Sequence, residues 1–445
     1  MTVGPYDSQI YGGLFAEQET ASVFSDVERV RSMLAVEMAL ARVQGALGII
    51  PTQAANAIVA AAENLRPDMD ALGERTARDG VPVVELVNQL RTAVGGDESQ
   101  YVHWGATSQD IVDTAVILQL RTAVDRLEEY LDQLIGVLRD LANVHRDTLM
   151  AARTHSQQAL PTTFGFKVAS WLAPLVRHRQ RLAQLKPRVF VIQFGGAVGT
   201  LAALQDQGIK VMVALAQELA LTVPVLPWHT QRDSLAEFAG WLSLITGSLG
   251  KIGQDVILLA QSEIGEVREV GQADYGGSST MPQKSNPIAS EMIVAAARMN
   301  ASLLSNMHHS QIAEQERATH GWQLEWLSLP QMVVCTAASL KRALYVVENM
   351  VIDTARMQQN VAESNGLLLA EAATFALAAH IPRPEAQKIV KSACQEVVRA
   401  NRNLIAVLRD EVEAPIDWDA LADHKRYLGA TNTLIDRIIA ATDEC

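Results

Sequence analysis

The sequence predicts an all-α protein of three helical domains, built on a central bundle of long helices. Two observations predict this. From Asp110 to about His145, Val116, Leu120, Ala123, Leu127, Leu131, Leu134, Leu138 and Leu141 recur at spacings of 4-3-4-4-3-4-3, with charges on the other face. That is an apolar seam held over several heptads, and only a long helix packed in a bundle keeps it on one side. The second observation is the lack of any strand-helix alternation of the kind that builds a parallel sheet.

A helix of that length is on the order of 50 Å long at ~1.5 Å per residue and needs partners of similar length. Four stretches supply them: Pro161 to about Leu185, about Ser234 to Val270, Pro287 to about Gln311, and Leu324 to about Val351. Pro174 and Pro330 are expected to kink two of these. Before the bundle, Ser25-Asp26-Val27-Glu28 reads as a capping box in which the serine hydroxyl and the glutamate side chain each bond the other's backbone N–H. Val27, Val30 and Leu34 continue that helix, and Gly48 and Pro51 close it. Further helices are expected from about Thr52 to Leu65 and from about Val84 to Val94, where Gly95-Gly96 breaks the pattern. Val189 to Phe194 is the one stretch that reads as a strand. The expected domains are 1–109, 110–351 and 352–445, and the fold expected of the central one is a bundle.

The chain has 445 residues, 49% hydrophobic and 20% charged, an ordinary globular balance. A net charge of −13 opposes a nucleic-acid or anionic-membrane partner, because both need a basic face. Cys335, Cys394 and Cys445 are far apart, so neither a disulfide framework nor a zinc site is expected, and a reducing cytoplasm fits. The N-terminus lacks a basic start and apolar core, so no signal peptide is expected. Uncharged stretches such as Phe238 to Leu249 are too short to span a bilayer.

Residues 275–287, Tyr-Gly-Gly-Ser-Ser-Thr-Met-Pro-Gln-Lys-Ser-Asn-Pro, interrupt the helices with a different chemistry. Gly276 and Gly277 free the backbone to turn N–H groups toward an anion, and Pro282 and Pro287 exclude helix. Lys284 adds charge and Asn286 a directional donor, so the loop can grip a carboxylate while Ser278 or Ser279 approaches the neighbouring carbon. A plain connector rarely combines all these groups. Three other stretches are polar where a bundle should be quiet. Thr107 and Ser108 stand where a long helix begins and free N–H groups favour an anion, although Ser108 could simply cap the helix. His155, in Arg153-Thr-His-Ser-Gln-Gln158, is a candidate general acid or a structural histidine. Arg317 could hold a carboxylate bidentately beside Trp322 or Trp326, or form a buried Arg–Glu pair beneath two core tryptophans.

Weaker signals surround these. His229 could be catalytic, but a capped helix start explains most of Trp228 to Asp233. His308 and His309 are adjacent on a helix and point apart, so no metal is expected. Phe194-Gly-Gly-Ala-Val-Gly-Thr200 mimics a dinucleotide loop with the wrong glycine spacing, and no cofactor is expected.

Gly277-Ser-Ser-Thr-Met-Pro-Gln-Lys-Ser-Asn286 resembles the GSSxMPxKxN signature of the fumarase/aspartase superfamily. The Gly105-Ala-Thr-Ser108, Arg153-Thr-His155 and Gly195-to-Thr200 stretches follow in the family order, and the resemblance covers most of the chain. It implies an all-helical homotetramer with a twenty-helix core, each active site drawing on three subunits. It implies a base that removes a proton beside a carboxylate, giving an aci-carboxylate from which a group on the next carbon leaves. By position Ser278 would be the base, and Lys284, Asn286, Thr107 and Ser108 would hold the carboxylate. His155 would match the general acid of adenylosuccinate lyases. Ser279, Met281, Gln157, Arg317 and Trp322 would line the substrate, a small di- or tricarboxylate.

Within the family the chain looks like the bacterial 3-carboxy-cis,cis-muconate cycloisomerases, through Asp79 to Glu85, Tyr101 to Asp110, Trp228 to Asp233 and Gln315 to Pro330. That branch adds an internal carboxylate across a muconate double bond to close a lactone. Adenylosuccinate lyases carry a histidine in the stretch matching Gly80 to Glu85 and a Ser/Arg-rich segment at Trp322 to Trp326; this chain has neither. His155 stands where the cycloisomerase branch usually has tryptophan, and Gln283 and Ser285 depart from its MPHKRNP loop. The alternative is therefore a fumarate-releasing C–N lyase acting on a small amino- or nitro-succinate, and a sulfo-substituted muconate is a variant of the first reading. A non-catalytic helical scaffold is opposed by Ser278, Lys284, Asn286 and His155 standing together.

Overall fold

The computed structural model describes residues 4–269, 281 and 284–443. Five long helices dominate it: Ser108–Val144, Phe164–Val189, Asp233–Leu259, Ile288–His309 and His320–Asn349. The all-α expectation holds; the strands described are four short ones in two antiparallel pairs. The seam of the first long helix is buried as its spacing requires. Leu120, Ala123, Leu127, Leu131, Leu134 and Leu138 are completely inaccessible. Each such leucine contributes about 2 kcal/mol of hydrophobic stabilisation. The Phe164–Val189 and His320–Asn349 helices run on through Pro174 and Pro330.

The chain forms two compact units. The first comprises Met1–Tyr130, Gln180–Gly247 and Ala296–Ser339; the second comprises Leu131–Arg179, Ser248–Ala295 and Leu340–Cys445. In the first, helix Asp26–Ala46 packs on Thr52–Asn64 so closely that a Cβ at Gly45 would lie 2.5 Å from the Ala55 methyl. Ser25 caps as expected, accepting from the Glu28 N–H at 3.3 Å, but the box is only half made. The Glu28 carboxylate pairs with Arg31, and the Ser25 N–H donates to the Ser22 carbonyl. Helix Met69–Asp79 was not anticipated; Asp68 caps it and Gly80, at φ 74°, ends it. One core joins Val30, Met33, Leu72, Leu86, Leu90, Ile111 and Trp322.

The expected strand at Val189 to Phe194 is a correction. Val189 closes a helix, and Val191 makes only an isolated bridge to Thr222. The run is apolar because Val189, Ile192 and Phe194 all face the interior. Strands form instead at Leu149–Thr154 and Gln157–Thr163 in the second unit, paired with Thr154 opposite Gln157. The helix expected from Pro161 therefore starts at Phe164, with the Thr163 hydroxyl accepting from the Phe166 N–H at 3.1 Å. The helix expected to reach Val270 stops at Leu259, because Val267–Arg268 pairs with Val351–Ile352. Helix Asp233–Leu259 is long and apolar enough to cross a bilayer by length and composition, which the shorter uncharged stretch had not suggested. Half of its most apolar window is buried. The C-terminal part of the second unit is held by Leu377, Val390, Val397, Leu404 and Leu408.

Candidate active site

In the first unit, the polar stretches picked out by sequence converge on one carboxylate. Asp110 is fully buried and accepts from five donors. Its Oδ1 takes His229 Nε2 at 2.7 Å, the Gly195 N–H at 2.9 Å and Gln193 Nε2 at 3.3 Å. Its Oδ2 takes the Gly196 N–H at 2.9 Å and the Thr107 N–H at 3.0 Å. A buried carboxylate is tolerated only when so satisfied. The Gly-Gly pair of the apparent dinucleotide loop is thereby explained. Gly196 sits at φ 69°, and a Cβ there would lie 3.1 Å from the Gly105 carbonyl. The glycines let two loops touch and turn their N–H groups to Asp110.

Thr107, rather than Ser108, occupies the capping position, since Ser108 is the first helical residue. The Thr107 hydroxyl faces Arg317, whose Nη1 donates to it at 2.8 Å and to the Ala197 carbonyl at 3.2 Å. Arg317 Nε donates to Gln109 Oε1 at 2.9 Å, and Gln109 in turn donates to the His229 carbonyl. Thr107, Ser108 and Arg317 are half-buried, forming a cationic group beside a helix N-terminus. Such a group suits a carboxylate.

Trp322 does not join this group. It is buried and donates from Nε1 to Asp113 at 2.8 Å. A buried Arg–Glu pair does lie beside the two tryptophans, but its cation is Arg232. Arg232 contacts Asp113 at 2.7 Å and also pairs with Glu325. Burial pushes the Glu325 carboxyl above its usual range, against the pull of Arg232. Burial alone would lower Arg232, but Asp113 and Glu325 outweigh it and keep the guanidinium charged. Arg232 also stacks 4.7 Å over the Trp228 ring, so the Trp228 to Asp233 stretch is anchored from within. His229, a weak catalytic candidate, is an interior support.

In the second unit, His155 and Ser156 form the two-residue turn of the hairpin, at φ 48° and 61°. Two successive left-handed residues make a type I′ turn, which normally takes Asn-Gly. Their side chains are exposed at the tip, and Gln157 follows, also exposed. Non-glycine residues in this conformation are strained, and such strain concentrates at functional sites. Arg153 anchors the hairpin, donating to both oxygens of the inaccessible Glu266 at 2.8 Å. Asn360 Nδ2 adds a bond to Glu266 at 2.7 Å.

Glu269, which precedes the signature loop in the chain, holds the start of the helix that follows it. It receives the N–H groups of Ala289 and Ser290 at 2.8 and 3.1 Å and the Ser290 hydroxyl at 2.7 Å. A carboxylate at a helix start is favoured by the free N–H groups there. Within the loop Lys284 is exposed, its N–H bonded to the Met281 carbonyl at 3.0 Å; Met281 is exposed and Asn286 half-buried. Ser278 and Ser279 lie outside the described residues. Among the described residues no group of three or more His, Cys, Asp or Glu is placed to hold a metal ion. The residues the sequence analysis passed over are Asp110, Arg232, Glu266 and Glu269. Their signal was faint: Asp110 and Arg232 lay inside motifs chosen for other members, and Glu266 and Glu269 were single acids within an expected helix.

A family model described as a lyase matches residues 13–299, and one described as the adenylosuccinate lyase C-terminus matches residues 366–438. This chain belongs to the fumarase/aspartase superfamily. The superfamily assignment, expected from the signature loop, makes it an enzyme. Similar proteins match over nearly their full lengths. The 3-carboxy-cis,cis-muconate cycloisomerase of Pseudomonas aeruginosa is 43% identical over 97% of this chain and 96% of its own. The structure of 3-carboxy-cis,cis-muconate lactonizing enzyme from Pseudomonas putida superposes with a TM-score of 0.93 at 41% identity, covering 98% of this chain and 99% of that one. A fumarate lyase from Mesorhizobium gives 0.89 at 39% identity, covering 96% and 98%.

Proposed function

We propose that this superfamily enzyme is a cycloisomerase acting on 3-carboxy-cis,cis-muconate or a close tricarboxylate analogue, in the breakdown of aromatic compounds. The full-length similarity to a cycloisomerase at 43% identity carries the proposal. A carboxylate at one end of the substrate adds through oxygen to a carbon of the double bond. The π pair moves to the carbon beside a second carboxylate as an aci-carboxylate, and that carbon takes a proton. Ser278 is the group assigned to that proton, since the base of the elimination is the donor of the addition. The attacking carboxylate is already anionic and needs no base. Thr107, Ser108 and Arg317 grip a carboxylate, with Lys284 and Asn286 completing the hold on the charge that develops. Gln157, Ser279 and Met281 line the bound substrate.

The enzyme is proposed to be a cytoplasmic homotetramer with active sites shared between subunits. Supporting this, the long helices carry exposed apolar side chains in the isolated chain, including Leu244, Leu258, Met299 and Leu327. Light scattering tests it: a mass near 48.3 kDa would refute the tetramer.

A second reading, a fumarate-releasing lyase of a small amino- or nitro-succinate, is favoured by His155 at the strained hairpin tip. There a histidine acid would protonate the leaving group. Ultraviolet absorbance separates the two. Loss of the conjugated-diene band on adding 3-carboxy-cis,cis-muconate supports the lactone. An unchanged band with adducts formed from fumarate and amines supports the lyase.

A further inference from the structure

A cavity of about 290 Å³ opens in the first unit between helices Asp26–Ala46, Met69–Asp79 and Ser108–Val144. Among the described residues, none of the segments 105–110, 193–200, 228–232 or 315–317 lines it, so it is distinct from the carboxylate grip. Its walls are apolar, formed chiefly by Met33, Leu72, Val112 and Val116. Of the residues with polar groups that line it, Asp26 is exposed and the Thr76 hydroxyl donates to the Leu72 carbonyl, while Arg29, Gln119 and Trp326 each have an unmet hydrogen-bonding need.

Arg29 is half-buried and, among the described residues, makes no side-chain hydrogen bond or ion pair. Asp26 acts on it only through its charge, and burial pushes the guanidinium below its ordinary value. Gln119 is 2% exposed; its amide nitrogen donates to the Val23 carbonyl, while its Oε1 is buried with no donor. Trp326 Nε1 is buried with no acceptor. A cation, an N–H donor and an acceptor left unsatisfied around one apolar space are costly unless a ligand meets them. A cavity of ~150 Å³ already holds a benzene ring, so this one has room for a ring and its substituents.

We propose that this cavity is a second ligand site, taking a small aromatic carboxylate that bears a hydroxyl. The carboxylate pairs with Arg29, helped by the Trp326 N–H; the ring lies among the apolar walls; the hydroxyl donates to Gln119 Oε1.

The test is calorimetric titration of the full-length enzyme with 4-hydroxybenzoate, with benzyl alcohol as the uncharged control and fumarate as competitor. Saturable binding of one 4-hydroxybenzoate per chain is expected, unaffected by fumarate, with benzyl alcohol at least 10-fold weaker. Arg29→Met should weaken binding at least 10-fold. Gly73→Leu provides a second variant that keeps the cation. Gly73 lines the cavity, and a Cβ there meets nothing within 4 Å, so a leucine side chain is expected to extend into the space. It should abolish binding while the enzyme stays folded. No saturable binding, displacement by fumarate, equal binding of benzyl alcohol, or unchanged affinity in a folded Gly73→Leu enzyme would each overturn the proposal.

Discussion

His229 Nε2 lies 2.7 Å from Asp110 Oδ1, and both side chains are buried. This contact joins the start of the first long helix to the loop before the third. Asp110 also gathers the Gly195-Gly196 N–H groups and that of Thr107, so one carboxylate sets the shape of the proposed carboxylate grip. Asp110→Ala leaves five donors without an acceptor. The expected cost is about 3 kcal/mol or more. Denaturant unfolding should show it, and wild-type stability would refute this role.

Arg317 reaches Gln109, Thr107 and the Ala197 carbonyl through Nε and Nη1. A lysine has one nitrogen and cannot span these acceptors. Arg317→Lys should therefore lower kcat/KM by about 10-fold to 100-fold, with unfolding shifted by less than about 1 kcal/mol. Steady-state kinetics alongside thermal melts decide it. Unchanged kcat/KM would remove Arg317 from the site.

His103 Nδ1 donates to the buried Glu37 carboxylate at 2.6 Å. Burial alone would lower its pKa, but the Glu37 carboxylate outweighs this and raises it. A raised folded-state pKa means the stabilisation is complete below the unfolded value of ~6.5 and is lost as pH rises through the folded value. The melting difference between wild type and His103→Gln should thus be larger near about pH 6 than near about pH 9. A constant difference would exclude the ion pair as the cause.

His155 separates the two chemistries. Asparagine tolerates the left-handed turn but cannot act as an acid at neutral pH. His155→Asn should keep kcat within about threefold if the enzyme closes a lactone, because the attacking carboxylate needs no proton donor. A fall of about 100-fold would instead make His155 the acid of a fumarate-releasing reaction.

Much of this was legible in the chain itself. The 4-3 spacing of Leu120 to Leu138 could only be one face of a long helix, and all those leucines are inaccessible. The turn at His155-Ser156 was not legible. Neither residue favours a type I′ hairpin by itself, and pairing across Thr154 and Gln157 imposes it. The strand expected at Val189 to Phe194 failed for a related reason. A short apolar run reports burial, and burial does not distinguish a strand from a helix end and its exit.

The sequence by itself determined the helical bundle, because apolar periodicity is a local property, and the resemblance of its signature loop pointed to the superfamily. Only the tertiary structure decided which polar residues act together. Asp110 meets Gly195, Gly196 and His229, and Arg232 rather than Arg317 takes Glu325. These partners lie scores of residues apart in the chain, and what pairs them is the need to satisfy each buried charge once the helices have packed.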